Sequence, residues 1–241
     1  MKGNTLKLGI VVLTLLALLA AYSLYPWLKT NAARTGRLMT WLRQSSRHPD
    51  WSVQAGEGCD AAPFVMPTSG YIGYLWGDMF RLGQRHQGID IFGGTQPGET
   101  PVFAAYAGYL TRLPDWKSTV VIRIPSDPLQ PERQIWAYYT HMAMPDGSSL
   151  ITADFPPGTA EVFVERGAFL GYQGNYSGDP DNPVGVHLHF SIVLDGGVDA
   201  AHPTGQLLNE LDIRNTLDPS PYLGLALNAA SNPNTVPRCE K

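Results

Sequence analysis

Val186-His187-Leu188-His189-Phe190-Ser191-Ile192-Val193 is the stretch on which the reading of this fold turns. Apolar and polar side chains alternate along it, the pattern of a β-strand. Val186, Leu188, Phe190 and Ile192 fall on one face, and His187, His189 and Ser191 on the other. Two imidazoles projecting side by side from a rigid element suit a metal ligand beside a catalytic base. Alternation alone leaves open which histidine would take which part.

The chain has six histidines, and the placement of the others matters. His86-Gln87-Gly88-Ile89-Asp90 sets a His and an Asp four apart, with a glycine between them that would let the backbone turn. His141 ends Ile135-Trp-Ala-Tyr-Tyr-Thr-His141, a β-branched and aromatic run that predicts a second strand. His48 and His202 each precede a proline and belong to loops. His86, Asp90 and one member of the His187/His189 pair offer two nitrogens and one oxygen. Three protein ligands with an open fourth position is the arrangement of a catalytic zinc site, whereas structural sites are usually closed by four. His141 and the remaining histidine could then move protons. Taken singly, each motif has a plainer reading as a hydrogen-bonded surface pair or a packed side chain; taken jointly, in this order, they point to hydrolysis.

Composition sets the frame for that chemistry. The 241 residues are 44% hydrophobic and 16% charged, enough for one sizeable core. With 25 Gly and 20 Pro the chain is rich in turns. Short strands, with no long amphipathic helix after residue 60, predict a mainly antiparallel β domain. Strands are expected within 101–111 and 119–124, loops over 125–133 and 144–157, a long loop over 174–183, and a short helix from about Gly205 to Leu211. A net charge of −4 gives no sign of a nucleic-acid partner, and nothing indicates an oligomeric state.

The N-terminal region differs. No Asp or Glu precedes Asp50, whereas Lys2, Lys7, Lys29, Arg34, Arg37, Arg43 and Arg47 all do. Leu8 to Leu28 is uncharged and closes on Tyr22, Tyr25 and Trp27; as a helix it would span about 30 Å, enough for a bilayer. The expected organisation is therefore a membrane anchor over 1–28, a basic juxtamembrane stalk over 29–58, a catalytic domain over 59–225 and a tail over 226–241. A cleaved signal peptide is the competing reading, with Ala21-Tyr-Ser23 as a poor cleavage site; the protein would then be secreted. Leu38, Trp41 and Leu42 lie at helical spacing in the stalk, which would rest on an anionic membrane or stand free in solvent. Cation counting would put the C-terminal side in the cytoplasm, although long domains translocate despite their charge. Cys59 and Cys239 bracket the domain, and in an oxidising compartment a disulfide between them would tie its ends together; two free thiols is the alternative.

The ordered set His86/Asp90, His141 and His187/His189 resembles the signature of lysostaphin-type, LytM-like zinc metallopeptidases, which cut peptide cross-links in bacterial peptidoglycan. The surroundings resemble that family too: Val102-Phe-Ala-Ala105 with Gly108, Tyr139-Thr-His141, Arg166-Gly167, Gly171-Tyr-Gln-Gly174 and the closing Asp218-Pro-Ser-Pro-Tyr-Leu223. The similarity covers residues 60–224. It implies a small antiparallel β-sheet domain of the duplicated-hybrid-motif type, with a groove over the metal. It further implies one Zn2+ per chain on His86, Asp90 and His189, with His141 and His187 as the catalytic pair. Peptidoglycan peptide would be the substrate, and the catalytic domain of a single-pass bacterial membrane protein would face the extracytoplasmic side. The chain departs from the pattern in its loops, since 124–136 and 144–161 are longer than a minimal member needs. Some relatives lack ligands or catalytic histidines and serve as non-catalytic peptidoglycan-binding or regulatory modules; here all five positions are present. A D-Ala-D-Ala peptidase would need wider ligand spacing and a Trp-His motif. A cupin would need a glutamate after His189.

Overall fold

The computed structural model describes residues 2–59, 61–79, 84–225, 227 and 235–239. Among the described residues an N-terminal helix α1 (Lys2–Gln44) is followed by ten short strands: β1 (Tyr71–Tyr74), β2 (Ile89–Phe92), β3 (Pro101–Phe103), β4 (Gly108–Thr111), β5 (Val120–Ile124), β6 (Ile135–Thr140), β7 (Val162–Val164), β8 (Phe169–Tyr172), β9 (Leu188–Leu194) and β10 (Thr216–Leu217). Among the described residues the main sheet runs β1-β2-β9-β6-β5-β4-β7, with β10 also on β9, and β3 and β8 form a separate pair. Every pairing is antiparallel. The mainly antiparallel β fold expected from the alternation is the fold observed.

The alternation in β9 is what places it centrally. Leu188, Phe190 and Ile192 point into the main core with Ile89, Ile91, Ile122 and Tyr139. On the opposite face Val193 joins Val121 and Trp136 in a second cluster, which Leu207 and Leu208 cover. Both faces of β9 are thus protected, in keeping with a central strand. Register then fixes the chemistry: Asp90 of β2 lies directly across from His189 of β9, and Thr140 of β6 flanks it on the other side.

The expectations for 205–211 and for the basic segment need correction. Residues 205–211 form no helix; Leu207 makes a bridge to Asp195 and the segment folds back over the sheet in turns. Its apolar pair 207–208 is drawn down onto Trp136 and Val193, which a helix would not allow. Gly88 does lie at a bend, directly before β2, and meets a second need as well. A Cβ there would sit 2.3 Å from the Phe190 carbonyl oxygen, so that need is the close approach of the β2 entry to β9.

The basic segment is also no loose stalk. Helix α1 continues through it to Gln44, and Arg34, Leu38 and Trp41 form one buried stripe at spacings of four and three residues. Trp41 stacks on Tyr71 of β1 at 5.8 Å, and Leu38 and Phe92 complete the cluster. Leu42, expected on the same apolar face, is exposed. The end of this segment is held too: the amide of Gly56 bonds Met66 and the amide of Met66 bonds Glu57. The first part of α1, with an 18-residue window of mean hydropathy 1.9, is long and apolar enough to cross a membrane. At the other end, Cys59 and Cys239 form a disulfide, Cα–Cα 5.1 Å. Of the 226–241 tail only 227 and 235–239 are among the described residues.

Candidate metal centre

Four separate segments deliver five side chains to one place. His86 lies in the loop before β2, Asp90 on β2, His141 just past the end of β6, and His187 and His189 at the start of β9. His187 stands one step outside the regular strand, its amide bonded to Gly174. Its side chain still shares the face of His189, as alternation predicts. Three atoms converge: His86 Nε2 is 3.0 Å from Asp90 Oδ1 and 3.1 Å from His189 Nδ1, and His189 Nδ1 is 2.8 Å from Asp90 Oδ1. Such a trio of ligand atoms can hold a metal ion. His187 Nε2 is 3.5 Å from Asp90 Oδ1. The His141 ring centroid lies 4.6 Å from that of His187 and 6.1 Å from that of His189.

The far side of each imidazole is occupied. His86 Nδ1 donates to the Leu75 carbonyl at 3.1 Å. His189 Nε2 donates to Glu210 Oε1 at 2.9 Å, and that oxygen also accepts from Ser191 Oγ at 3.1 Å. His141 Nδ1 donates to the Tyr176 carbonyl at 2.7 Å, and His187 Nδ1 to that of Gly185 at 2.6 Å. With one nitrogen of each ring so committed, the other faces inward toward Asp90. Without metal these inward contacts are hydrogen bonds to the carboxylate; deprotonated, the two nitrogens and the Asp90 oxygen would present a converging set of donor atoms to a cation. Ligand histidines held by a carboxylate or carbonyl on the outer nitrogen are the usual company of a bound metal. Two nitrogens and one oxygen fit zinc.

Electrostatics follow from burial. Burial would raise the Asp90 carboxyl, but the charges of His86 and His187 and hydrogen bonds from His189 and His86 hold it well below the usual carboxylate range. For His189 burial favours the neutral ring, yet Asp90 on one side and Glu210 on the other push it up to about 10 in the metal-free protein. His141 moves the other way, to about 3, through burial first and then the neighbouring His187 and His189. Burial also lowers His187, against the pull of Asp90. The two rings outside the ligand trio are therefore neutral bases at neutral pH. His141 also adopts a left-handed backbone, φ 69°, uncommon outside glycine and costly enough to mark a constrained site.

Glu210 is the residue that sequence reasoning missed. It lies 21 positions beyond His189 in a segment read as helix, and only the fold-back of 205–211 brings its carboxylate to the ring. No pattern of spacing announces it. Of the tyrosines near the site, Tyr71 is buried against α1, while Tyr176 supplies the carbonyl on His141.

No protein-family profile matches the chain, and neither does any curated protein. Solved structures do. A Pseudomonas aeruginosa chain assigned as peptidase M23 aligns over 80% of this chain and 62% of its own, at 18% identity and TM-score 0.40. A Ruminococcus gnavus chain assigned as glycyl-glycine endopeptidase LytM aligns over 65% and 59%, at 24% identity and TM-score 0.38. Helicobacter pylori Csd3 aligns over 54% and 30%, at 20% identity and TM-score 0.35. The chain thus spans less than two thirds of the length of each. The resemblance to LytM-like metallopeptidases is carried by the ordered set His86, Asp90, His141, His187 and His189, gathered at one site of an antiparallel β domain.

Proposed function

We propose that this protein is a zinc-dependent endopeptidase that hydrolyses amide bonds in peptidoglycan stem peptides or cross-bridges, held to a bacterial membrane by α1 with its β domain on the extracytoplasmic side. The observation that carries the reading is the convergence of His86 Nε2, Asp90 Oδ1 and His189 Nδ1, with the outer nitrogen of each ring already bonded. Zinc bound there supplies a Lewis acid that acidifies water and polarises an amide carbonyl.

The chain's own residues do the rest. Neutral His187, held through Nδ1 by Gly185 and stacked on Phe92 at 4.8 Å, keeps Nε2 aimed at the centre to take the proton of an attacking water. His187, once it holds the water's proton, returns it to the leaving amine, and His141, fixed through Nδ1 by the Tyr176 carbonyl, presents its unprotonated Nε2 beside it as a second base. The disulfide suits an oxidising compartment.

The test uses the full chain in detergent micelles. It is expected to hold about one zinc per chain and to release new amines from isolated sacculi, with release blocked by a chelator. His187→Ala is expected to lose turnover, at least a hundredfold, while keeping its zinc; His189→Ala loses both. A zinc-loaded wild type that cuts no bond in any peptidoglycan overturns the peptidase reading in favour of a regulatory module.

A further inference from the structure

Helix α1 reaches the metal centre through a continuous chain of polar contacts. Arg34, on the buried stripe of α1, pairs its Nε with Asp78 at 2.8 Å, and both side chains are almost wholly buried. Asp78 Oδ2 accepts from the Leu75 amide at 2.8 Å, closing the Leu75–Asp78 turn, whose other bond runs from the Asp78 amide to the Leu75 carbonyl at 3.1 Å. That same Leu75 carbonyl receives the Nδ1 proton of His86. The backbone of His86 is clamped from the same turn: its amide bonds the Asp78 carbonyl at 2.7 Å, and its carbonyl accepts from the Gly77 amide at 2.8 Å. The turn therefore sets the position, tautomer and ring orientation of His86. Its one carboxylate is held by a residue of the helix.

A buried carboxylate with no partner would not keep this geometry, because breaking one side of a buried ion pair leaves a charge away from water. Reorientation or hydration of Asp78 would release the Leu75 amide and, with it, the carbonyl that fixes His86. Groups that hold a ligand's outer nitrogen typically govern metal affinity by one to two orders of magnitude. We infer that Arg34 is a positioning residue for the metal ligand His86, so that the helix that carries the apolar span is also a structural part of the metal centre. The inference rests on the metal-binding reading of His86, Asp90 and His189.

The test compares wild-type full chain, Arg34→Met, Arg34→Lys, Trp41→Ala and the pair Arg34→Met with Asp78→Asn, all in the same detergent. Zinc affinity is measured by competition with a chromophoric chelator, ligand geometry by the visible spectrum of the cobalt-loaded protein, and folding by thermal midpoint. Arg34→Met is expected to weaken zinc binding about tenfold or more and to alter the cobalt spectrum, with partial rescue in Arg34→Lys. The double variant, relieved of the lone buried charge and with an amide oxygen left to accept from Leu75, is expected to fold and to recover part of the zinc affinity lost in Arg34→Met. Trp41→Ala removes helix packing without touching the turn, so its midpoint falls while zinc affinity stays within about threefold of wild type, well inside the one-to-two-decade effect expected of Arg34. The inference is overturned if Arg34→Met binds zinc as wild type does, if the double variant recovers no affinity over Arg34→Met, or if Trp41→Ala weakens zinc as much as Arg34→Met. A wild type that binds no zinc overturns instead the metal reading on which the inference rests.

Discussion

At the scale of single residues, the site separates two roles that the sequence writes with the same letter. His189 sits between two carboxylates and holds a proton up to about pH 10 without metal, whereas buried His141 stays unprotonated down to about pH 3. A metal ion must therefore displace the proton on His189, and binding at pH 7 is expected to release about one proton per ion. Calorimetry in buffers of differing ionisation enthalpy would measure it. The sign follows: as pH falls, proton competition strengthens and apparent metal affinity drops about tenfold per unit. His141 stays neutral over that range, so acid loss of activity between about pH 7 and pH 5 should be restored by raising free zinc. If added zinc restores nothing, a base has been titrated, and His187 or His141 is not shielded as the structure indicates.

At the scale of elements, strand pairing does the positioning. Asp90 and His189 are cross-strand neighbours, so anything that shifts β2 against β9 moves two ligands apart. Gly88→Ala is the sharpest probe, because its Cβ would meet the Phe190 carbonyl oxygen at 2.3 Å, and backbone cannot step aside. The expected cost is about 1–3 kcal/mol of stability, read from a urea midpoint, with weaker zinc binding alongside. This level of organisation was largely legible beforehand. Period-two patterning over 186–193 and the β-branched run ending at His141 announced β9 and β6, since both strands bury one face completely. Glu210, the docking of α1 and the backbone contact at Gly88 were not legible. Each depends on what lies across a tertiary contact: a carboxylate 21 residues from its ring, a helix stripe whose partner is a strand, a glycine whose neighbour is another backbone. Local spacing carries no record of such partners. Leu38 and Trp41 did announce an apolar face, but a membrane and a β-sheet satisfy the same stripe.

At the scale of the whole molecule, the two ends of the β domain are tied together. Cys59 and Cys239 are 180 residues apart, and Leu225 bridges to Cys239, so the disulfide closes nearly the entire domain. Replacing both cysteines by serine is expected to lower stability by about 3–5 kcal/mol, measured by denaturant unfolding of the metal-loaded protein, with the site's ligands unchanged. The opposite anchor point is α1, which runs unbroken from its apolar part into its docked part. Leu28 and Arg34 are six residues apart on that helix, a rise of about 9 Å. In a bilayer that takes up Leu8–Leu28, the cutting edge would therefore sit at a set altitude and bearing, like a tool on a fixed post. Each residue inserted between Leu28 and Arg34 would lift it by about 1.5 Å and swing it by about 100°. Under the proposed function, such a post would give the enzyme no roaming radius: a peptide would be cut only where the wall comes down to meet it.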